Sequence, residues 1–253
     1  MTKILLNGCN GKMGRVICES VKNRKDCEIV AGVDILNEKN FDFPVFTDFD
    51  SIDVEADVII DFSHPSALVP LLTYAVQKKI PAVIATTGLD EEKINLLYNA
   101  SKEIPVFHSA NMSLGVSLIS ELAQKAAKVL GSGFDIEIIE KHHNQKIDAP
   151  SGTALMLADA ISSVLDEKPK YVHERQSKRE KRTANEIGIH AVRGGTITGE
   201  HEIMFAGLDE IVTISHSARS RNIFATGAIS AAGFIKNKPA GLYKMSDLVA
   251  EEV

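Results

Sequence analysis

Ile4-Leu5-Leu6-Asn7-Gly8-Cys9-Asn10-Gly11-Lys12-Met13-Gly14 is the stretch that decides the fold. A short apolar run ends at glycine, and Met13, Val16, Ile17 and Val21 then recur at helical spacing. The stretch reads as a strand, a glycine turn and a helix over 13–21. Glycines in such a turn let the backbone approach a pyrophosphate, whose charge is stabilised by amides at the helix N-terminus. The spacing is G-x-x-G-x-x-G, not the commoner G-x-G-x-x-G. A glycine triplet alone is a weak signal, but this one sits between strand and helix, where the mechanism requires it. A second apolar run, 29–33, ends in Asp34, twenty residues beyond Gly14. That is about where an acid accepts hydrogen bonds from the adenosine ribose of a dinucleotide. The Asp34 carboxylate repels a 2′-phosphate, and Ile35 stands where an arginine would favour one. NADH is therefore expected to serve at least as well as NADPH, with Lys12 and Lys39 the cations available to offset Asp34.

Working outward, apolar runs at 58–60, 82–85 and 105–107 alternate with helical patterns. Pro65 suits the first turn of a helix carrying Leu68, Leu71, Leu72, Ala75 and Val76, and Asp90 suits the cap of the next. Short apolar strands separated by amphipathic helices indicate a parallel sheet covered on both faces. Asp61-Phe62-Ser63-His64 and Ala85-Thr86-Thr87-Gly88 follow the third and fourth strands, where ligands of such sheets bind. They are the natural nicotinamide contacts, although each residue fits a turn or cap role as well. His64 reads as a cap or surface residue.

The pattern changes after about residue 110. A helix is expected over 114–129, a strand over 134–139 and a helix over 151–165. Residues 168–186 are highly charged and include Arg175, Lys178, Arg179, Lys181 and Arg182. This stretch reads as a solvated loop, or as a lid or anion-attracting loop. Strand-like stretches at 188–192, 196–205 and 210–215 follow without intervening helices, which suggests antiparallel pairing. Helical spacing returns over 222–235. The fold class expected is α/β: a Rossmann-like parallel-sheet domain plus an α+β substrate domain with a mainly antiparallel sheet.

Composition narrows the function. The 253 residues allow one large domain or two small ones, and 44% hydrophobic with 25% charged residues is an ordinary globular balance. A formal net charge of -6 argues against nucleic acid or an anionic membrane as partner. No apolar run reaches the roughly 18–20 residues that span a bilayer. The first residues read as a strand and not a signal peptide, so a cytoplasmic location is expected. Cys9, Cys18 and Cys27 form no C-x-x-C and no zinc-like spacing, so three reduced thiols are expected.

Residues 137–154 carry the chemistry: Glu-Ile-Ile-Glu-Lys-His-His-Asn-Gln-Lys-Ile-Asp-Ala-Pro-Ser-Gly-Thr-Ala. His142 and His143 are adjacent and face opposite ways on an extended chain. Either could act as a general acid near neutral pH. Lys146 adds a cation, and a helix start at Ser151-Gly152-Thr153 offers amides to a carboxylate. Such a pocket suits a substrate with one or two carboxylates. A charged loop beside a well-capped helix fits the same residues. A metal site using both histidines with Glu140 or Asp148 is disfavoured, because neighbouring His side chains seldom converge on one ion. No metal is expected.

The string from Glu140 through His142, His143, Lys146 and Asp148 to Thr153 resembles the signature of the dihydrodipicolinate reductase family. The resemblance covers nearly the whole chain. It includes the loop 8–14, Asp61-Phe62-Ser63, Thr86-Thr87-Gly88, Ser109-Ala110-Asn111-Met112-Ser113, Arg193-x-Gly195, Gly199-Glu200-His201 and Phe224-Ala-x-Gly227-Ala. It implies hydride transfer from NADH or NADPH to a cyclic imine dicarboxylate, with loss of a 4-hydroxyl as water, in lysine and diaminopimelate biosynthesis. His142 matches the family's proton donor/acceptor and Lys146 its second proton-donating or substrate-orienting residue. His143, Gly152 and Thr153 match substrate contacts. Gly8, Cys9, Asn10, Gly11, Lys12, Met13, Asp34, Ala85, Thr86, Thr87, Ser109, Ala110, Asn111 and Met112 match cofactor contacts. Met112 stands where the family often has phenylalanine. The resemblance further implies a homotetramer and three segments: a nucleotide domain over 1–110, a substrate and assembly domain over 111–221, and a return to the nucleotide domain over 222–253. Another Rossmann oxidoreductase of amino or keto acids would not need the 142–153 segment in this form. A non-catalytic nucleotide sensor would have no use for His142 and Lys146 together.

Overall fold

The computed structural model describes residues 1–36 and 41–251. The chain divides into two compact units, Met1–Leu114 with Arg221–Val253, and Gly115–Ser220.

In the first unit the strands are β1 (Thr2–Asn7), β2 (Cys27–Val33), β3 (Val45–Phe46), β4 (Val58–Asp61), β5 (Ala82–Ile84), β6 (Pro105–His108) and β12 (Gly241–Tyr243). They form one sheet in the order β12-β6-β5-β4-β1-β2-β3, and every pairing is parallel. β1 shows why its strands are continuously apolar. Ile4 and Leu6 enter the core on one face and Leu5 the core on the other, all fully buried. Helices α1 (Lys12–Val21) and α6 (Asn222–Ile235) cover the first face through Ile17, Ala228 and Ile235. Helices α2 (Leu68–Lys78) and α3 (Glu91–Ala100) cover the second through Leu68, Leu71 and Leu97. The order of strands reverses at β1, which lies between β2 and β4. Open sheets bind ligands at such a switch point. Local signals act as expected: His64 Nδ1 accepts the Ser66 N–H at 3.2 Å, and Asp90 accepts the Lys93 N–H at 2.9 Å at the start of α3.

Helix α4 (Leu114–Leu130) leads into the second unit, which holds β7 (Asp135–His142), α5 (Gly152–Ser162), β8 (Lys170–Val172), β9 (Glu186–Arg193), β10 (Gly199–Ala206) and β11 (Ile211–Ala218). The sheet order is β11-β10-β7-β9-β8. β10 runs antiparallel to β11 and β7, whereas β9 runs parallel to β7 and β8, so the sheet is mixed. The long connection through α5 lets β9 return parallel to β7, while the short turn after β10 enforces a hairpin. Ile119 and Ala123 of α4 and Leu157 and Ile161 of α5 bury Ile136, Ile138, Ile203 and Phe205.

The charged stretch 168–186 is not simply solvated. Arg182 donates to Glu137 at 3.0 Å, Asp135 at 2.8 Å and the Ile136 and Glu186 carbonyls at 3.1 and 2.6 Å. Arg175 reaches Glu186 at 2.9 Å and Glu137 at 3.1 Å, holding the Glu186 carboxyl down at about 2. Among the described residues no helix is long and apolar enough to cross a membrane.

Candidate active site

The glycine loop is built by close contacts. Gly8 has φ +80°, and a side chain there would lie 2.7 Å from the Phe62 carbonyl oxygen. A side chain at Gly14 would strike the carbonyl oxygens of Gly8 and Cys9, so α1 can seat on the loop only with glycine there. Cys9 belongs to the loop through its backbone alone. Its thiol is buried against Gly32, and burial, with Asp34 nearby, pushes it up to about 12. Lys12 is exposed at the first residue of α1, and Met13 is half-buried. Asp34 follows β2 and accepts backbone N–H groups of Asn10 at 2.9 Å and Leu36 at 3.0 Å. It thereby joins the loop to the end of the second strand. Among the described residues Asn10 Oδ1, buried beside the loop, has no partner. Lys39 lies outside the described residues.

Beneath the loop sits the carboxylate of Asp61, from a stretch expected either at the nicotinamide or in a turn or cap role. Asp61, at the end of β4, is 1% exposed. It accepts Asn7 Nδ2 at 2.8 Å, the Ser63 hydroxyl at 2.5 Å and the Thr86 hydroxyl at 2.6 Å. Burial raises its pKa, and these donors pull in the opposite direction. Thr86 is thus fixed, while Thr87 is exposed. The turn after β6 is held by its own side chains: the Ser109 hydroxyl donates to the Asn111 carbonyl at 2.7 Å, and Asn111 Oδ1 accepts the Ser113 N–H at 3.0 Å. Met112 is buried, with its carbonyl packed where a side chain at Gly227 of α6 would lie.

Two cavities open along these strand ends. One of about 890 Å³ is lined by Gly8, Asn10, Gly11, Asp34, Ile35 and Tyr74, among others. The other, of about 250 Å³, is lined by Met13, Phe62, Ser63, Ala85, Thr86, Thr87, Ala110, Met112 and Phe224. A glycine cradle, an acid at the end of the second strand and this pair of cavities fit a dinucleotide. The structure gathers the residues expected to contact cofactor in the first unit at the carboxyl ends of β1, β2, β5 and β6. Phe62, Ser63 and Phe224 join that lining.

The second unit carries the remaining site residues. Along β7, Ile136, Ile138, Glu140 and His142 are buried alternately with more open positions. The polar pair therefore continues the face that isoleucines begin. Glu140 is fully buried, and all its acceptor capacity is used. Oε1 accepts Arg193 Nη2 at 2.7 Å and the Ser151 N–H at 2.9 Å. Oε2 accepts Arg193 Nη1 at 2.8 Å and His142 Nδ1 at 2.6 Å. Burial pushes Glu140 up, but Arg193, His142 and Ser151 outweigh it and hold the carboxyl below its usual range. The His201 ring meets His142 edge-on at 5.2 Å. Burial, with His142 beside it, lowers His201 to about 4, so it stays neutral near pH 7.

His143 is half-buried at the end of the strand, and its carbonyl accepts the Lys146 N–H at 3.2 Å. Lys146 Nζ donates to Asp148 at 2.8 Å and holds that carboxyl below its usual range. Ser151 caps α5 by accepting the Ala154 N–H at 3.2 Å. Gly152 is exposed at the helix start, with nothing where a side chain would lie, and Thr153 is half-buried beside it. His142, His143, Lys146, Gly152 and Thr153 thus fall on one strand end, one turn and one helix start. Among the described residues no group of three His, Cys, Asp or Glu is placed to hold a metal.

Sequence comparison places both units. The family described as dihydrodipicolinate reductase, N-terminus, matches residues 2–112, and the one described as dihydrodipicolinate reductase, C-terminus, matches residues 115–249. The chain belongs to the dihydrodipicolinate reductase family. It is 57% identical over 249 residues to the 4-hydroxy-tetrahydrodipicolinate reductase of Caldanaerobacter subterraneus subsp. tengcongensis, covering 98% of each chain. It is 54% identical over 245 residues to the protein of the same name from Clostridium tetani, covering 97% of this chain and 96% of that one. Its fold resembles the dipicolinate-bound dihydrodipicolinate reductase of Paenisporosarcina sp. TG-14, with a TM-score of 0.81 and 26% identity over 96% of this chain and 97% of that one.

In this member of the reductase family, the supports of the site come together only in the folded chain. Arg193 is distant from Glu140 along the chain and joins it only because β9 pairs with β7, with His142 opposite Arg193. His201 lies opposite Glu140 on β10. One signal was available: the alternation over 134–139 continues in phase to Glu140 and His142.

Proposed function

We propose that this chain is an NAD(P)H-dependent 4-hydroxy-tetrahydrodipicolinate reductase of lysine and diaminopimelate biosynthesis. It reduces the cyclic imine dicarboxylate to tetrahydrodipicolinate, and the 4-hydroxyl leaves as water. The observation that carries this reading is the family match along both units, with His142 and Lys146 present at the signature positions.

When bound, NADH or NADPH supplies the hydride. The chain's own groups bind, orient and move the proton. The loop 8–14 takes the pyrophosphate on backbone amides, and Asp34 accepts from the ribose. Residues 85–87 and 109–112 hold the nicotinamide end. His143, Lys146, Gly152 and Thr153 hold the substrate carboxylates, favoured by the positive end of α5. Negative charge builds on the ring nitrogen as hydride adds, and a positioned acid must quench it. His142 donates that proton from Nε2, and Lys146 orients the substrate or gives a second proton. The Asp34-Ile35 pair favours NADH at least as much as NADPH. The enzyme is cytoplasmic and works as a homotetramer through its central sheets. The exposure of Ile211 on the edge strand β11 supports such association.

The test is His142→Gln. Turnover should fall by about 10²–10⁴-fold, the scale of general acid catalysis, with cofactor affinity little changed. Near-normal turnover would remove His142 from the mechanism. Light scattering of the purified protein checks the tetramer, and a monomer mass would refute it.

A further inference from the structure

The buried polar cluster on β7 has more parts than a proton donor and a substrate pocket require. Glu140 carries no substrate-facing surface, since it is fully buried and each of its oxygens takes two donors. A buried carboxylate is costly unless paired, so its retention needs a physical reason. Its partners supply one. Arg193 binds it bidentately and balances its charge. The remaining two donors are His142 Nδ1 and the N–H of Ser151, the cap of α5. We propose that Glu140 is a positioning residue for the reduction: it fixes the tautomer and plane of His142 and ties that imidazole to the helix start that receives the substrate. This inference rests on the reading of His142 as proton donor.

The reasoning is geometric. An ionised carboxylate only accepts, so the 2.6 Å contact requires the proton on Nδ1. Nε2 is then the atom left to exchange a proton. It faces Gly199, where an added side chain would stand 3.0 Å away, so only glycine keeps that side of the ring clear. The other groups around His142 do not compete for its Nδ1. His201 meets the ring edge-on, and its own Nε2 is engaged with the Ser151 hydroxyl at 3.0 Å. Lys146 is paired with Asp148. The Arg193 guanidinium donates to Glu140. Ser151 therefore touches both supports of the imidazole, with its N–H on Glu140 and its hydroxyl on His201. A small displacement of Glu140 would move the acid and the helix start relative to each other, and misplacement on that scale costs rate.

The experiment combines imidazole ¹⁵N NMR with steady-state kinetics on the full chain. In the unmodified protein, the signals of the neutral His142 ring should report a protonated Nδ1 and an unprotonated Nε2. The opposite tautomer would overturn the proposal without any variant. Glu140→Gln should lower kcat by at least about 10-fold, since loss of the carboxylate behind a histidine costs about 10–100-fold at metal sites and about 10⁴-fold in the Ser-His-Asp triad. KM for NADH should hardly change, and the single-tautomer signature should be lost. Unchanged kcat, or a retained signature, overturns the proposal. Glu140→Gln/Arg193→Gln restores charge balance and guards against a folding defect. It should stay impaired, and recovery to the unmodified kcat would mean that Glu140 serves only to neutralise Arg193. His142→Gln in parallel separates the two levels. If that variant keeps its turnover, the proton-donor reading itself fails. If it loses turnover while Glu140→Gln does not, only the positioning role fails.

Discussion

Asp61 Oδ2 accepts the Thr86 hydroxyl at 2.6 Å, joining the end of β4 to the turn after β5 beneath the glycine loop. The same carboxylate gathers Asn7 from the end of β1 and Ser63 from its own turn. Three neighbouring strand ends are therefore held by one buried acid. Removing it would strand several buried donors, each costing roughly 1–3 kcal/mol. Asp61→Ala should lower the unfolding free energy by about 3–5 kcal/mol in urea titration. Asp61→Asn should lose less than half as much, because its amide still serves most partners. Equal losses would show that the hydrogen bonds do not matter there.

Gly14 is set by sterics. Any side chain meets two carbonyl oxygens of the loop it packs against. Gly14→Ala should cost about 1–3 kcal/mol, the usual range for overpacking. It should also weaken NADH binding, measured by fluorescence titration. An unaltered Kd would mean that the loop can move without harm to its ligand site.

Asp34 bears on the choice between cofactors. Both its oxygens already accept backbone N–H groups, and the carboxylate is half-buried beside the larger cavity. The unmodified enzyme should show kcat/KM for NADH at least equal to that for NADPH. Asp34→Asn removes one negative charge, and the ratio should move toward NADPH by about 10-fold, corresponding to ~1–2 kcal/mol of relieved repulsion. A strong preference for NADPH in the unmodified enzyme contradicts this account.

His201 gives the fold a dependence on pH. Its folded value, about 4, lies below the ordinary 6.5, chiefly through burial and then through His142. The unfolded chain therefore binds the proton more tightly. This group's contribution is fully present above pH 6.5 and is lost as pH falls toward 4, by about 3 kcal/mol in total. Unfolding free energies of the unmodified protein should drop over that window. His201→Gln, whose amide can bond the Ser151 hydroxyl in either direction, should show a shallower drop. Parallel curves would show that His201 titrates normally.

The parts of the fold that were legible in the sequence are those with strong periodicity. β1, α1, β4, β5 and α6 follow from apolar runs or helical spacing, because each buries side chains on a face the pattern already defines. β3, β8 and β12 are two or three residues long and, unlike the equally short but fully buried β5, bury at most one side chain each, too few to form a pattern. β9 and β10 looked like hairpin partners because they are close in sequence, yet β7 lies between them. Nothing local in either strand encodes that insertion. The stretch 168–186 looked solvated by charge count, and only the paired sheet shows Glu137 receiving Arg175 and Arg182. At the site, the reacting types were legible as a dense polar string. Glu140, Arg193 and His201 stand in the matching motifs, but their convergence as supports is not written there, since they meet through strand register.

The most direct measurement is absorbance at 340 nm, following NADH and NADPH oxidation with the cyclic imine generated freshly from pyruvate and aspartate semialdehyde by its synthase. The account predicts rapid oxidation that depends on the imine, with NADH at least as effective as NADPH. No imine-dependent oxidation with either cofactor, by protein that demonstrably binds them, would leave the dinucleotide site standing and contradict the assignment of substrate.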